Sequence, residues 1–149
     1  MDALAGAERC VREVVRTVER LRGQGDEILL LVGSDHGQET IGAAVSIEDW
    51  LAGRGLGDLL AAGEIAVAGQ GTSALLYATE RGRPALMAVL DAMRREAWAD
   101  SVVAGEEMRQ LGFAPTGGAV AAVNMARQPE ANPHGVAGKR WVAAEPGKP

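Results

Sequence analysis

The feature that most constrains this chain of 149 residues is an apolar run that ends directly in a polar loop. Five consecutive apolar residues, Ile28–Val32, are followed by a Gly-Ser-Asp-His-Gly loop at positions 33–37. Uninterrupted apolarity over this length is typical of a strand that is covered on both faces, as the strands of parallel sheets are. In open α/β sheets, ligands bind at the carboxyl ends of the strands. The run therefore predicts an α/β fold with a functional loop at one strand end.

Asp35 and His36 are the candidate metal ligands in that loop. Carboxylate oxygen and imidazole nitrogen both bind zinc. Because neighbours on an extended strand point to opposite faces, we expect Gly33 and Gly37 to supply the backbone freedom that turns both side chains toward one point. The alternative interpretation is a polar turn, in which Asp35 caps backbone amides and His36 is solvated.

The chain has two histidines, and the second also precedes a glycine. His134 lies in the turn Asn132-Pro133-His134-Gly135 and is the candidate ligand for a second metal ion. A solvated turn histidine is the alternative. Ser34 could orient a ligand or form a hydrogen bond within its turn, and the turn is favoured. Residues 38–40 could hydrogen-bond to the ligands, and a solvated loop is favoured for them.

Composition excludes several classes of protein. A net charge of −5 disfavours binding to nucleic acid polymers, which needs a basic surface. The sequence contains no apolar stretch of the roughly 18 residues that a membrane span needs, and no signal-peptide apolar region, so we expect a cytoplasmic protein. The single cysteine, Cys10, excludes an internal disulfide and a cysteine-based zinc site. It lies on the apolar side of a helix, so we expect a buried thiol.

Periodicity predicts the other elements. Apolar residues recur at helical spacing from Ala7 to Arg22, and Pro84 is placed to begin a second helix. Ile65–Val67 and Ala74–Tyr77 flank Gly69-Gln70-Gly71 and predict a β-hairpin. Weaker signals predict a helix capped by Ser46 and strands over 101–104 and 119–123. Prolines and glycines predict an extended segment over 127–149.

The sequence from Glu13 to Gly37 resembles the alkaline phosphatase superfamily, in particular its type I phosphodiesterase and nucleotide pyrophosphatase branch. The resemblance lies in the helix Val14–Leu21 and, more specifically, in Leu30-Leu31-Val32-Gly33-Ser34-Asp35-His36-Gly37. It implies that residues 1–126 are part of a mixed α/β sheet flanked by helices, with a β-hairpin insertion, followed by the extended segment 127–149. It also implies two metal ions, usually zinc. Asp35 and His36 would ligate the ion that also holds the nucleophile, and His134 the other ion.

The reaction implied by the resemblance is two-metal phosphoryl transfer from a small phosphoester through a Ser or Thr nucleophile. In the family, the nucleophile, an Asp ligand and an Asp-x-x-x-His ligand pair precede the helix, and none of them is found in this sequence. Three candidate ligands are too few to close two sites of about four donors each. We therefore expect the C-terminal part of a hydrolase that lacks its N-terminal, nucleophile-bearing half and has little or no activity alone.

Two other classes of function stay open on the sequence. The chain could be a non-catalytic α/β binding or interaction domain in which the Asp35-His36 turn holds no metal. It could also be a pseudoenzyme subunit that docks on a catalytic partner. Sulfatases and phosphonate hydrolases share the same metal scaffold, so the resemblance extends to their types of ester as well.

Overall fold

The computed structural model describes residues 2–114 and 116–144. The chain divides into two units, Met1–Gln38 and Glu39–Pro149. The described residues form mixed α/β structure, which confirms the predicted fold class. The resemblance to an alkaline phosphatase sheet and the division of the chain after residue 126 stay predictions.

The first unit begins with one long helix, α1 (Asp2–Arg22). The predicted helix from Ala7 to Arg22 is thus confirmed, and it starts five residues earlier than expected. The chain leaves the helix through Gly25, whose φ of 98° lies in the left-handed region that glycine adopts readily. The guanidinium of Arg22 then donates to the carbonyl of Ile28 at 3.0 and 2.7 Å, so the end of the helix is bonded to the following segment.

The predicted strand Ile28–Val32 is wrong, because residues 26–38 contain no strand. Ile28 and Leu30 are half-buried, whereas Leu29, Leu31 and Val32 are 79, 80 and 77% exposed. Among the described residues, no backbone N–H of 28–32 donates to another backbone carbonyl. An extended segment becomes a strand only when a neighbouring strand completes its hydrogen bonds, and an apolar run does not encode that neighbour.

The apolar face of α1 is also largely uncovered. Val11 and Val14 are 50 and 51% exposed, and together with Leu30 and Leu31 they line an open cavity of about 330 Å³ within the first unit. Cys10 lies beside them and is exposed, so the expectation of a buried thiol is wrong. The helical pattern identified the apolar face correctly but not whether another element would cover it.

The second unit contains two sheets. In the smaller sheet, β1 (Ile41–Val45) pairs in parallel with β6 (Arg140–Ala143). The larger sheet is antiparallel, with the strand order β2-β3-β5-β4. Its strands are β2 (Ile65–Gly69), β3 (Ser73–Ala78), β4 (Ala99–Ala104) and β5 (Ala119–Met125). The predicted hairpin is confirmed as β2 and β3, whose turn closes with a hydrogen bond of 2.7 Å from Gln70 N to Ser73 O.

In the described part of this unit, four α-helices accompany these sheets: α2 (Ile47–Leu51), α3 (Gly57–Ala61), α4 (Arg83–Met93) and α5 (Glu106–Gln110). A π-helical segment, Ala52–Leu56, connects α2 to α3. The Ser46 hydroxyl accepts from Asp49 N at 3.0 Å, which confirms Ser46 as a helix cap, and α4 begins next to Pro84 as predicted. Across residues 2–114 and 116–144, the helices are too short or too polar for any of them to cross a membrane.

The core of the second unit forms on one face of the larger sheet. Side chains alternate along β3, with Ala74, Leu76 and Ala78 buried and their neighbours half-buried, as expected for a strand with one face packed. The same apolar cluster includes Ile47 and Leu51 of α2 and, from α4, Leu86, Leu90 and Met93. Burial of this face therefore joins both helices to the sheet.

The prediction of extended loop over 127–149 is wrong at Arg140–Ala143, which forms β6. The backbone partners of this strand come from distant parts of the chain: Thr40, Ala126 and Gly71 each accept one hydrogen bond from it. A short strand among prolines and glycines has no local signal when all its partners are non-local. Residues 145–149 of the predicted segment lie outside the described residues.

Candidate functional site

The Asp35-His36 loop is built by three hydrogen bonds over four consecutive residues. The Ser34 hydroxyl donates to the carbonyl of His36 at 2.6 Å, which confirms its predicted bond within the turn. The backbone N–H of His36 donates to Asp35 Oδ1 at 3.0 Å. The ring nitrogen His36 Nδ1 lies 3.0 Å from the carbonyl of Gly37. These bonds leave Asp35 Oδ2 and His36 Nε2 for another partner.

Those two remaining atoms face each other, since Asp35 Oδ2 lies 3.3 Å from His36 Nε2. Two donors that bind one zinc ion at about 2.0–2.2 Å in tetrahedral geometry are about 3.3–3.5 Å apart. The observed separation therefore fits two ligands of a single ion, and it also fits a direct carboxylate–imidazolium ion pair. The predicted convergence of the two side chains is present in this loop.

The hydrogen bond at Nδ1 decides what the other ring nitrogen can do. A carbonyl oxygen only accepts, so Nδ1 is the nitrogen that carries the proton in this bond. In the neutral ring, Nε2 then presents a lone pair to a carboxylate oxygen that also carries lone pairs. Such a contact is favourable only with a proton or a cation between the two atoms. A ligating histidine whose other ring N–H is held by a backbone carbonyl is the usual arrangement at protein metal sites.

The pair is incomplete as a metal site. The side chains of His36 and Asp35 are 65 and 85% exposed, so water competes for both. Within residues 2–114 and 116–144, no group of three or more His, Cys, Asp or Glu side chains is arranged to hold an ion. Zinc takes about four donors in proteins. The loop can therefore supply two donors, and the others would have to come from water, substrate or another polypeptide segment.

The glycines of the loop do not have the role expected from the sequence. Neither Gly33 nor Gly37 has a positive φ, and a Cβ added at either position would meet no atom within 4 Å. Other residues could adopt both conformations. The turn is formed by side-chain hydrogen bonds rather than by backbone angles that only glycine allows.

The other candidate ligand, His134, is an exposed residue of the second unit. Its turn is organised by Asn132, whose side-chain oxygen accepts from His134 N at 2.9 Å and from Val136 N at 3.0 Å. The Asn132 amide donates in turn to Thr40 Oγ1 at 3.1 Å. These contacts explain the turn without a metal, and the role of His134 as a ligand stays a prediction.

An ion cluster that was not predicted from the sequence follows the loop directly in the chain. Glu39 lies in an exposed loop, as predicted, and binds Arg127 Nη2 through Oε1 and Arg140 Nε through Oε2, at 2.6 Å each. The hydrogen bond from Arg127 is the main cause that lowers the pKa of Glu39 below its usual 4.5, and the charge of Arg140 adds to it against the opposing effect of burial. Glu39 and Arg127 are 88 residues apart, which is why no local pattern revealed the pair.

No family model matches the chain, and no curated protein or solved structure matches it either. The features of the chain that bear on its function are the geometry of the Asp35-His36 loop and the sequence motif that contains it.

Proposed function

We propose that this chain is the C-terminal part of a metal-dependent phosphoester hydrolase of the alkaline phosphatase superfamily, similar to its phosphodiesterase and nucleotide pyrophosphatase branch. In this proposal the chain supplies ligands to the metal centre, and the nucleophile comes from an N-terminal half. Asp35 and His36 hold one divalent ion, most favourably zinc, and His134 is the candidate ligand of a second.

One observation carries the proposal: Asp35 Oδ2 and His36 Nε2 face each other at 3.3 Å while Nδ1 is held by the Gly37 carbonyl. This arrangement gives one anionic and one neutral donor at the spacing that a tetrahedral ion needs. The motif Ser34-Asp35-His36-Gly37 adds the sequence resemblance. The exposure of both side chains leaves room for the further donors that zinc requires.

The roles of the residues follow from their chemistry. A bound divalent ion would act as a Lewis acid that stabilises the charge developing on a transferred phosphoryl group. Asp35 would contribute a negative charge that strengthens binding of the cation. His36 would contribute a neutral donor whose ring orientation is fixed by the Gly37 carbonyl.

The test compares this chain with the longest product of its gene, using bis(p-nitrophenyl) phosphate as the substrate and Zn²⁺ in the buffer. We expect the 149-residue chain to release p-nitrophenol at close to the background rate, because it lacks a nucleophile and a complete set of ligands. We expect the longest product to turn over, and the substitutions Asp35→Asn and His36→Gln to lower its rate by at least a hundredfold.

His134→Gln, which removes the other histidine of the chain, tests the second ligand. A drop in rate equal to that of His36→Gln would support His134 as the second ligand, and an unchanged rate would remove it from the site. Two outcomes would refute the proposed function: an inactive longest product, or full activity in the Asp35→Asn and His36→Gln variants. Turnover by the 149-residue chain comparable to that of a complete enzyme would refute the proposal that the nucleophile comes from an N-terminal half.

A non-catalytic α/β binding domain is the second candidate function. It is favoured by one observation, that the described residues contain no group of three or more metal-ligating side chains. In that case the contact between Asp35 and His36 is an ion pair, and the melting temperature of the chain does not change with Zn²⁺. The metal-site proposal requires stabilisation at zinc concentrations above the dissociation constant.

A further inference from the structure

The extended segment 28–32 has an almost entirely unpaired backbone. Arg22 donates to the carbonyl of Ile28 at 3.0 and 2.7 Å. Within the described residues, no backbone N–H of 28–32 and no carbonyl of 29–32 is bonded to another backbone group. A helix satisfies its own backbone groups and a lipid surface offers none, whereas the edge of another extended strand completes such a row. The backbone of this segment therefore selects a strand as its partner.

The side chains of the same segment are apolar on both faces. Ile28 and Leu30 are half-buried, and Leu30 lines the cavity of about 330 Å³ beside α1. Leu29 and Leu31 alternate with them and are largely exposed. Apolar side chains on both faces are typical of a strand that lies inside a sheet. A strand that pairs with this segment would therefore itself be apolar.

Acidic side chains stand at both ends of the segment. Asp26 and Glu27 precede it, Asp35 follows it, and all three are exposed. Arg22 offsets one of the two charges at the first end, so each end keeps one negative charge with His36 neutral. Pairing of two copies, parallel in register or antiparallel about residue 30, would bring these acidic ends together, and like charges oppose pairing. A strand with basic ends is complementary instead.

We propose that segment 28–32 is the docking site for one extended strand of another polypeptide, apolar along its length and with lysine or arginine at both ends. The backbone of that strand pairs with the N–H and C=O groups of Leu29–Val32. Its side chains cover the cavity beside α1 on one face and Leu31 on the other. This inference is independent of the proposed hydrolase function, because it requires no metal ion.

The probe is the synthetic peptide Lys-Lys-Val-Ile-Val-Ile-Val-Lys-Lys, added to the full 149-residue chain while the amide NMR signals are recorded. We expect the peptide to shift the amide signals of 29–32 and to slow their hydrogen exchange, because these N–H groups gain acceptors. The same peptide with its five central amides N-methylated cannot donate to the segment. Its affinity should be lower by about tenfold or more.

Two pairs of variants test the side chains. Leu31→Ser should weaken binding of the peptide by about tenfold or more, because the strand no longer buries a leucine there. Its matched control is Leu111→Ser, at a leucine of the second unit that is 73% exposed, and should bind as the wild type does. Glu27→Gln should weaken binding by about twofold to fivefold at low salt. The exposed Glu130, changed to glutamine, is its control. Circular dichroism of α1 checks that the variants are folded.

Binding by the wild type that is weakened by N-methylation and by Leu31→Ser supports the docking site. Three results overturn it: no shift of the 29–32 signals with saturating peptide, equal binding of the N-methylated peptide, or wild-type affinity in Leu31→Ser.

Two further measurements examine other occupants of the segment. A dimer of the chain alone in sedimentation, lost in Leu31→Ser, would assign the segment to a second copy and overturn the proposal. A shift of the 29–32 signals by phosphatidylcholine–phosphatidylserine vesicles, without binding of the peptide, would assign it to a lipid surface and overturn the proposal as well.

Discussion

Similar apolar sequences are exposed in the first unit of this protein and buried in the second. In the first unit, Leu29 and Leu31 belong to an apolar run and are 79 and 80% exposed. In the second unit, Leu76 belongs to the apolar strand β3 and is completely buried. Strand β3 is paired with β2 and β5, and the face that carries Leu76 packs in one apolar cluster with residues of α2 and α4. The described residues provide no neighbouring strand for 28–32. An apolar run is therefore buried only where other elements pack against its side chains.

One ion pair from each unit illustrates the same difference between local and long-range contacts. In the first unit, Glu13 binds Arg16 at 2.9 Å across one turn of α1. In the second unit, Glu39 binds Arg127 across 88 residues. The first pair can form whenever the helix forms. The second can form only after distant parts of the chain have come together, so it reports on tertiary structure.

The largest expected effect separates buried from exposed leucine. We expect Leu76→Ala to lower the free energy of unfolding of the second unit by about 2–5 kcal/mol, because it leaves a cavity in a closed core. Leu31→Ala should change the stability of the first unit by less than about 0.5 kcal/mol, because its side chain is largely in water. Urea unfolding followed by tryptophan fluorescence measures the second unit, to which Trp50, Trp98 and Trp141 belong, and circular dichroism of α1 measures the first. Comparable losses in both variants would contradict the contrast between the units.

The second comparison concerns glycine. A Cβ at Gly82 would lie 2.2 Å from the carbonyl oxygen of Glu64, so Gly82→Ala should cost about 1–3 kcal/mol through forced movement of backbone. A Cβ at Gly37 would meet nothing within 4 Å, and Gly37→Ala should be neutral or slightly stabilising. The same fluorescence measurement applies to Gly82→Ala, and circular dichroism of the helix applies to Gly37→Ala. A stable Gly82→Ala variant would show that the turn before α4 is less tightly packed than described.

The smallest expected effect is a pH dependence from Glu39. Its pKa is held below 4.5, first by Arg127, so the folded state binds fewer protons than the unfolded state in this range. The stabilisation is fully present above pH 4.5 and is lost as the pH falls through the folded pKa. Glu39→Gln should therefore flatten the dependence of stability on pH below 4.5, and the two curves should converge in strong acid. Arg127→Gln should reproduce this flattening, and an unchanged slope in both variants would contradict the ion cluster.

Elements with a local signal were predictable. Helical spacing located α1 and Pro84 located α4, because the apolar face and the first-turn proline are properties of one segment. The hairpin of β2 and β3 was predictable because its turn and both strands are contiguous in sequence. Strand β6 was missed because its hydrogen bonds reach Thr40, Gly71 and Ala126.

The candidate site likewise contains features that a local pattern predicts and features that depend on distant residues. Asp35 and His36 could be singled out from the sequence, because consecutive residues in a polar loop after an apolar run form a local pattern. Their convergence was predicted for the wrong reason, since neither Gly33 nor Gly37 has a positive φ. Glu39 was missed, because its two arginines lie in another part of the sequence.

By itself, the sequence determined the helix, the hairpin, the capping serine and the pair of candidate ligands, because each depends on residues that are close together in the sequence. The tertiary structure decided which apolar segments are buried, which strands find partners and which carboxylate meets two arginines. The physical reason is that hydrogen-bond ladders, burial and long-range ion pairs each require two segments of the chain. The sequence of one segment does not specify which other segment it will contact.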